Sequence, residues 1–458
     1  MENNSDARLE HIQVMEICQT NIGLMWPYLL LSVKNADFIA MDLELSGLGP
    51  KSANSAKNVS DRYAALREAA TTRGILSFGL AFFKRSENSE VKRCLPFDCQ
   101  VFNILSLCCE PFTVEPEALE FLSKHSFDFN RLIETGIRYY PSKSPKECAL
   151  RSLTKEILSR GVPLFLHNGL IDLVFFYHHF YSPLPESFGE FSNALADLFP
   201  PESPVYDSKY LADYRTRMSA SFLEYVFRRC QGDNVRESLV ARWYLRISFD
   251  DCTAAMASLG RACETVNCRL PTDFPDHALP SDLSDKICGD FANHGFCRKQ
   301  GKDECRLLHD VDSAIDLDYL RKRRNRLKRK KRYDYLKPDS IPEKESVEGQ
   351  NGTVRGKNSL EEMKMGIAVS GCHRAGVDAF MTGYAILFQN RIALWIQRPF
   401  IKLDPESRNR IPLSGKQQPF TIQSTQFSGA CPEHKSRFAA IHVARKNNTN
   451  FTSSVHSV

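Results

Sequence analysis

The sequence has no uninterrupted apolar stretch long enough to cross a bilayer. Its most apolar early run, residues 23–33, is short and contains Pro27, whereas a spanning helix needs about 20 apolar residues. A secretory leader is not expected either, because Met1-Glu2-Asn3-Asn4-Ser5-Asp6 is polar and lacks an apolar core. A disulfide framework is also missing. The 15 cysteines are odd in number and mostly irregular in spacing, which points to a reducing compartment, nucleus or cytosol. Nor is there a strong overall charge: the net is +5, yet ten basic residues fall within residues 321–332, so the remainder is net acidic and the positive charge is local.

What is present is the composition of a globular chain with tails. Its 458 residues are 42% apolar and 25% charged, enough for two or three units with a substantial core. The organising stretch is Phe38-Ile39-Ala40-Met41-Asp42-Leu43-Glu44-Leu45-Ser46-Gly47-Leu48-Gly49. It reads as a buried strand that ends in a turn. Side chains alternate along a strand, so Asp42 and Glu44 stand side by side on one face. Two like charges in an apolar setting are costly unless a cation lies between them, and a divalent metal is the usual solution; a strand whose acidic face meets solvent is the simpler alternative.

Residues 15–33 are expected to be helical and to lead into this strand. A helix over 60–71 and two strands over 74–83 and 95–104 should follow, forming an antiparallel meander within a mixed sheet. Helices are then expected over 117–124, 127–135 and 146–159, stopped by Gly161. The short apolar strand 162–166 runs into His167-Asn168-Gly169-Leu170-Ile171-Asp172, where Asn168 can cap a helix carrying Asp172 in its first turns. That is a helix N-terminus beyond a strand end, a place that favours an ionised carboxylate. Asp207, followed by Ser-Lys-Tyr-Leu, reads as a helix cap more than as a further site carboxylate. Residues 219–259 are expected to be largely helical, and the Pro- and Asp-rich stretch 271–283 marks a boundary.

Beyond it lies Cys288-x8-Cys297-x7-Cys305-x3-His309. Three thiolates and an imidazole in a segment too short for its own core suit a closed structural zinc site. Phe291 and Phe296 lie inside the finger, each free either to stack on splayed bases or to pack against the zinc core. Arg321, Lys322, Arg323, Arg324, Arg326, Lys328, Arg329, Lys330, Lys331 and Arg332 then form a run that reads as a nuclear-import signal, an RNA-contacting arm, or both. So many uncompensated like charges disfavour a folded element without an anionic or receptor partner. A polar linker over 337–364 follows. Order should return in a buried helix with Val377, Phe380, Met381 and Tyr384 on its apolar face. His373 and Asp378 would be roughly 140° apart on one continuous helix, so His373 belongs to the loop entering it.

Asp42-x-Glu44, His167-Asn168-x-x-x-Asp172 and His373-x-Ala375-Gly376-x-Asp378-Ala379 together resemble the three exonuclease motifs of the DEDD superfamily, in the histidine-bearing form of the CAF-type and PARN-type poly(A) deadenylases. The strings Met25-Trp26-Pro27, Leu45-Ser46-Gly47-Leu48-Gly49 and Leu166-His167-Asn168-Gly169-Leu170-Ile171-Asp172-Leu173-Val174-Phe175 resemble a nuclear branch of that family. So does the order nuclease, CCCH finger, basic run, nuclease remainder, over roughly residues 20–428.

The resemblance implies an α/β fold of ribonuclease-H type: a mixed sheet flanked by helices, with an inserted CCCH zinc finger. It implies a nuclease domain in two parts, 10–275 and 367–428, the finger at 284–312, the basic run and linker at 313–366, and a disordered tail at 429–458. It further implies removal of 3′-terminal adenosines from single-stranded RNA tails, giving 5′-AMP. Asp42, Glu44, Asp172 and Asp378 would hold two Mg²⁺ and His373 would act as general base. Asn168, Phe291 and Phe296 are candidate RNA contacts, a nuclear import receptor is the expected partner of the basic run, and the nucleus is the expected location. Whether the chain self-associates stays open. So do two other classes, a catalytically silent RNA-binding regulator and a DNA 3′ exonuclease.

Overall fold

The acidic stretch is a central strand. The computed structural model describes residues 4–50, 56, 58–86, 93–249, 263–271, 273–276, 282–299, 304–335, 374–396, 402–426 and 428–455. The chain divides into two compact units, Met1–Arg269 with Val369–Val458, and Leu270–Ala368. In the first unit, β1 (His11–Ile17), α1 (Ile22–Asn35), β2 (Phe38–Leu45), α2 (Val59–Thr72), β3 (Ile75–Arg85) and β4 (Cys94–Cys108) come first. Then follow α3 (Pro116–Lys124), α4 (Phe129–Thr135), β5 (Ile137–Tyr139), α5 (Ala149–Arg160), β6 (Leu164–Leu166), α6 (Leu170–Phe176), α7 (Phe188–Leu198), β7 (Val205–Asp207), α8 (Leu223–Leu239), β8 (Tyr244–Phe249) and β9 (Cys263–Asn267). The second unit contains α9 (Gly289–His294) and α10 (Val311–Tyr335); the chain then returns to the first with α11 (Ala375–Gln389) and α12 (Pro432–Val455).

Among the described residues nine strands form one mixed sheet in the order β7-β6-β2-β3-β4-β1-β9, with β5 and β8 also pairing with β4. The meander β2-β3-β4 is antiparallel, as the succession of strands joined by a charged turn leads one to expect, whereas β6 joins β2 in parallel. Apolar layers cover both faces. Ile39, Met41 and Leu43 pack into one with α1, α2 and α5, while Phe38 and Ala40 pack into the other with residues of α8 and α11. The period of two therefore carries Asp42 and Glu44 onto the α11 side.

Several expectations fail for identifiable reasons. Residues 15–17 close β1 instead of opening a helix, because Met15, Glu16 and Ile17 pair with β4 and Met15 also pairs with β9. Residues 244–249 form β8 beside β4, where the alternating Leu245-Arg246-Ile247-Ser248-Phe249 outweighs helical propensity. The tail expected to be disordered is a long helix with buried anchors. His434 is 0% exposed, its Nδ1 lies 3.0 Å from the Tyr181 hydroxyl and its Nε2 3.1 Å from Asp197 Oδ2. Arg445 donates to the carbonyls of Leu158 at 2.8 Å and Leu198 at 2.7 Å, and Ile441 is buried. A polar composition hid this because the anchors are few and most of them are polar.

The basic run is likewise helical, forming the distal part of α10. Ala314 and Leu317 at its start pack on Leu283, Ile287 and Ala292 of the same unit. Once that turn is nucleated, Arg and Lys propagate a helix well and suit its C-terminal half. Residues 321–329 stay exposed. The expected linker over 337–364 lies outside the described residues, and no described helix is long and apolar enough to cross a membrane.

Candidate metal centre

Three elements deliver carboxylates to one place. β2 supplies Asp42 and Glu44 from its exit end, and α11 supplies Asp378 from its first turn. One ligand oxygen from each of the three lies within 4.8 Å of the others. α6 supplies Asp172, also from a first turn. Asp172 is close enough that its charge helps to raise Asp42, whose carboxyl is pushed well above its ordinary range by burial first and then by Asp378, Asp172 and Glu44. Burial also pushes Asp172 up to about 7, with Asp207 adding to the rise, while the backbone N–H of Leu43, between the two strand carboxylates, pulls it back.

The placement follows from local chemistry. The turn between β6 and α6 requires a left-handed residue, and Asn168 takes it with φ 55°. Asn168 is thus not the helix cap expected of it; Gly169 holds that position without a side-chain cap. Asp207 does cap the turn after β7, accepting from the backbone N–H groups of Lys209 at 2.9 Å and Tyr210 at 3.0 Å. Its other oxygen accepts the N–H of Gly169. His167, half-buried beside the same turn, lies 2.7 Å from the Ser208 hydroxyl and is lowered to about 3 by burial and by Lys209. After Glu44, Glu115 clamps the exiting loop, accepting from the N–H groups of Leu48 at 3.1 Å and Gly49 at 2.9 Å and from Arg73 Nε at 2.7 Å.

Asp378 reaches the cluster because α11 lies directly on the sheet. Asp42 is registered opposite Gly79 of β3, and a Cβ on Gly79 would come within 1.9 Å of the Ala375 carbonyl. Only glycine admits that approach. Sequence reasoning passed over Gly79, although an isolated glycine inside an apolar strand is the usual sign of a close backbone neighbour. The cap role of Asp207 was legible, but its second bond, to Gly169, and the clamp of Glu115 leave no mark in local spacing. His373, the expected base, lies outside the described residues.

A second cluster stands in the other unit. Ligand atoms of Cys288, Cys297, Cys305 and His309 lie within 4.8 Å of one another. The Nε2 of His309 is buried without a hydrogen-bond partner among the described residues, and burial lowers its pKa, the neutral state a metal requires. Phe291 packs edge-on against the His309 ring at 5.3 Å, while Phe296 is 57% exposed. The two rings that the sequence left equivalent are therefore distinguished.

A mixed α/β sheet that gathers buried and half-buried carboxylates at one strand end defines a class of proteins able to hold divalent cations there. The chain belongs to the CAF1 family of ribonucleases, whose family model matches residues 17–151 and 143–386. It is similar to the poly(A)-specific ribonuclease PARN of Danio rerio, 27% identical over 150 residues, 31% of this chain and 22% of that protein. PARN of Arabidopsis thaliana is 28% identical over 126 residues, 26% of this chain and 18% of its own length. The matched stretches thus span about a fifth of these relatives. Among solved structures, Pop2p of S. pombe in its Mg²⁺- and Mn²⁺-bound form is 20% identical with a TM-score of 0.35, covering 48% of this chain and 82% of that one.

Proposed function

We propose that the protein is a 3′–5′ exoribonuclease of deadenylase type that removes 3′-terminal adenosines from RNA tails and releases 5′-AMP. The observation that carries the reading is the convergence of Asp42, Glu44 and Asp378 within 4.8 Å, in a chain of the CAF1 ribonuclease family. The donor set fits a divalent pair: hard oxygen ligands suit Mg²⁺, and the upward push on Asp42 is a strain that cations relieve. Asp42, Glu44, Asp172 and Asp378 would hold them. When bound, two Mg²⁺ supply an activated water and charge neutralisation at the departing 3′ oxygen. The protein's own part is to hold the carboxylates fixed in one place. His373, two residues before Ala375 in sequence, would take the proton of the attacking water, and Asn168 would contact the terminal nucleotide.

Within the family we place the chain with the nuclear deadenylase called target of early growth response protein. Cys288, Cys297, Cys305 and His309 hold one structural zinc, Phe296 offers a ring to RNA, and the basic half of α10 serves a nuclear import receptor. The implied process is nuclear RNA 3′-end trimming, of small nuclear RNA among others. The test is digestion of 5′- and 3′-labelled oligo(A) with and without a chelator, beside matched DNA. Metal-dependent shortening from the 3′ end with AMP release supports the reading. Binding without shortening points to a silent RNA-binding regulator, and preference for DNA to a DNA exonuclease.

A further inference from the structure

Two side chains beneath the start of α11, Asn103 and Glu16, have no part in the reading above. Asp42, Gly79, Asn103 and Glu16 are successive register partners across β2, β3, β4 and β1. Asn103 is 4% exposed. Its Oδ1 accepts from the Ser77 hydroxyl at 2.9 Å and from the backbone N–H of Gly376 at 3.2 Å, while its Nδ2 donates to Glu16 Oε2 at 3.1 Å. Glu16 is held in turn by Arg131 at 3.6 Å and Arg374 at 3.5 Å, and Arg374 also pairs with Glu264. The amide orientation follows from its neighbours, two donors on one side and a carboxylate on the other.

Gly376 and Asn103 are 273 positions apart, so chain connectivity does not set where α11 begins on the sheet. Apolar contacts of Phe380 and Tyr384 with Phe83 and Phe227 hold the helix down, but such contacts are non-directional. A hydrogen bond at the first turn is directional. Gly376 is two residues before Asp378, and a Cβ there would come within 2.9 Å of the Phe102 carbonyl, so this turn sits hard against β4. We propose that Asn103 is a positioning residue of the metal centre: by holding the Gly376 amide it fixes the first turn of α11, and so the place of Asp378 beside Asp42 and Glu44. The proposal rests on reading that cluster as a metal site. A misplacement of about 1 Å at such a site is enough to cost roughly a hundredfold in rate.

The test uses the full chain and Mn²⁺ as probe. Wild type, Asp42→Ala, Asn103→Leu and Gly376→Ala are titrated with Mn²⁺ by calorimetry, unfolded thermally without metal, and assayed on oligo(A). Asn103→Leu is expected to weaken Mn²⁺ binding about tenfold and to lower kcat at saturating metal with KM for RNA unchanged. A merely structural role would lower the melting temperature without that kcat-only loss. If Asn103→Leu does not fold, Gly376→Ala, which lifts the same turn, decides: weakened Mn²⁺ binding supports the proposal and wild-type binding overturns it. Wild-type metal affinity and kcat in folded Asn103→Leu likewise overturn it, with the metal-centre reading intact. If the wild type takes up no Mn²⁺ at a site lost in Asp42→Ala, that reading fails and the proposal falls with it.

Discussion

Asp207 accepts the backbone N–H of Gly169 at 2.9 Å across two neighbouring strand ends. One carboxylate therefore caps the turn after β7 and ties down the turn that launches Asp172. It is 0% exposed, and burial lifts it to about 6 while the amides of Gly169, Tyr210, Asn168 and Lys209 hold it back. Asp207→Asn turns an N–H donor toward the Gly169 N–H and should cost about 1–3 kcal/mol of stability. Asp378→Asn should cost little stability and at least about a hundredfold in trimming rate, by analogy with lost electrostatic groups elsewhere. Denaturant midpoints and oligo(A) kinetics on the two variants check the contrast; equal activity losses would make Asp207 a ligand instead.

The cluster also sets a pH dependence. Asp172 rises to about 7 and Asp42 rises in the same direction, whereas an unfolded Asp titrates near ~3.9. Between those values the metal-free folded state binds more protons than the unfolded state, so this contribution to stability is present at low pH and lost as pH climbs toward 7. Cations bind the ionised form and reverse the loss. The rise in melting temperature on adding Mg²⁺ should therefore be larger at pH 8 than at pH 5.5, and Asp42→Ala should flatten the difference. Scanning calorimetry at the two pH values measures it.

Much of this was legible in the sequence because it was periodic. The apolar run over residues 38–45, broken by a turn, gave the strand, the two-residue strand period gave the shared face of Asp42 and Glu44, and the apolar stripe through Val377, Phe380 and Tyr384 gave α11. The grouping of Cys288, Cys297, Cys305 and His309 was legible for the same reason: their spacing is local. What stayed hidden depends on partners distant in sequence. Gly79 has meaning only once Ala375 lies on it, Asn103 only once Gly376 arrives, and His434 only beside Tyr181 and Asp197. β8 and the ordered tail were lost similarly, since neither carries an apolar run strong enough to show its partner.

The basic half of α10 makes a prediction about location. Deleting residues 321–332 should move the protein from nucleus to cytoplasm while purified protein keeps its rate on short RNA, because the deletion touches none of the cluster carboxylates. Fluorescence imaging of tagged protein beside the assay separates the two effects. Unchanged nuclear accumulation would place the import signal elsewhere or on a carrier.

Zinc removal should act on the second unit alone. Its cluster is small, built on Leu283, Ile287, Ala292, Ala314 and Leu317, so metal binding would supply much of its folding energy. Cys297→Ser should abolish the bound zinc, measured by elemental analysis, and expose that unit to limited proteolysis. Trimming of a short oligo(A) should persist. A loss of trimming equal to that of Asp42→Ala would show that the finger belongs to the chemistry.

The nuclease is expected to need both of its chain segments. A fragment ending at Tyr335 retains Asp42, Glu44 and Asp172 but lacks α11, and with it Asp378 and the side chains that bury Phe83, Phe227 and Val226. Uncovering such a layer costs about 25 cal/mol per Å² of apolar surface, more than a marginally stable domain can lose. The fragment should therefore aggregate or unfold at low denaturant and trim no RNA. Supplying residues 367–458 through a short linker, without the finger, should restore both folding and trimming. Supplying only 367–428 should restore trimming at reduced stability, because the bonds of His434 and Arg445 to the first part are then missing. Trimming by the Tyr335 fragment at the full-length rate would sink the two-part reading.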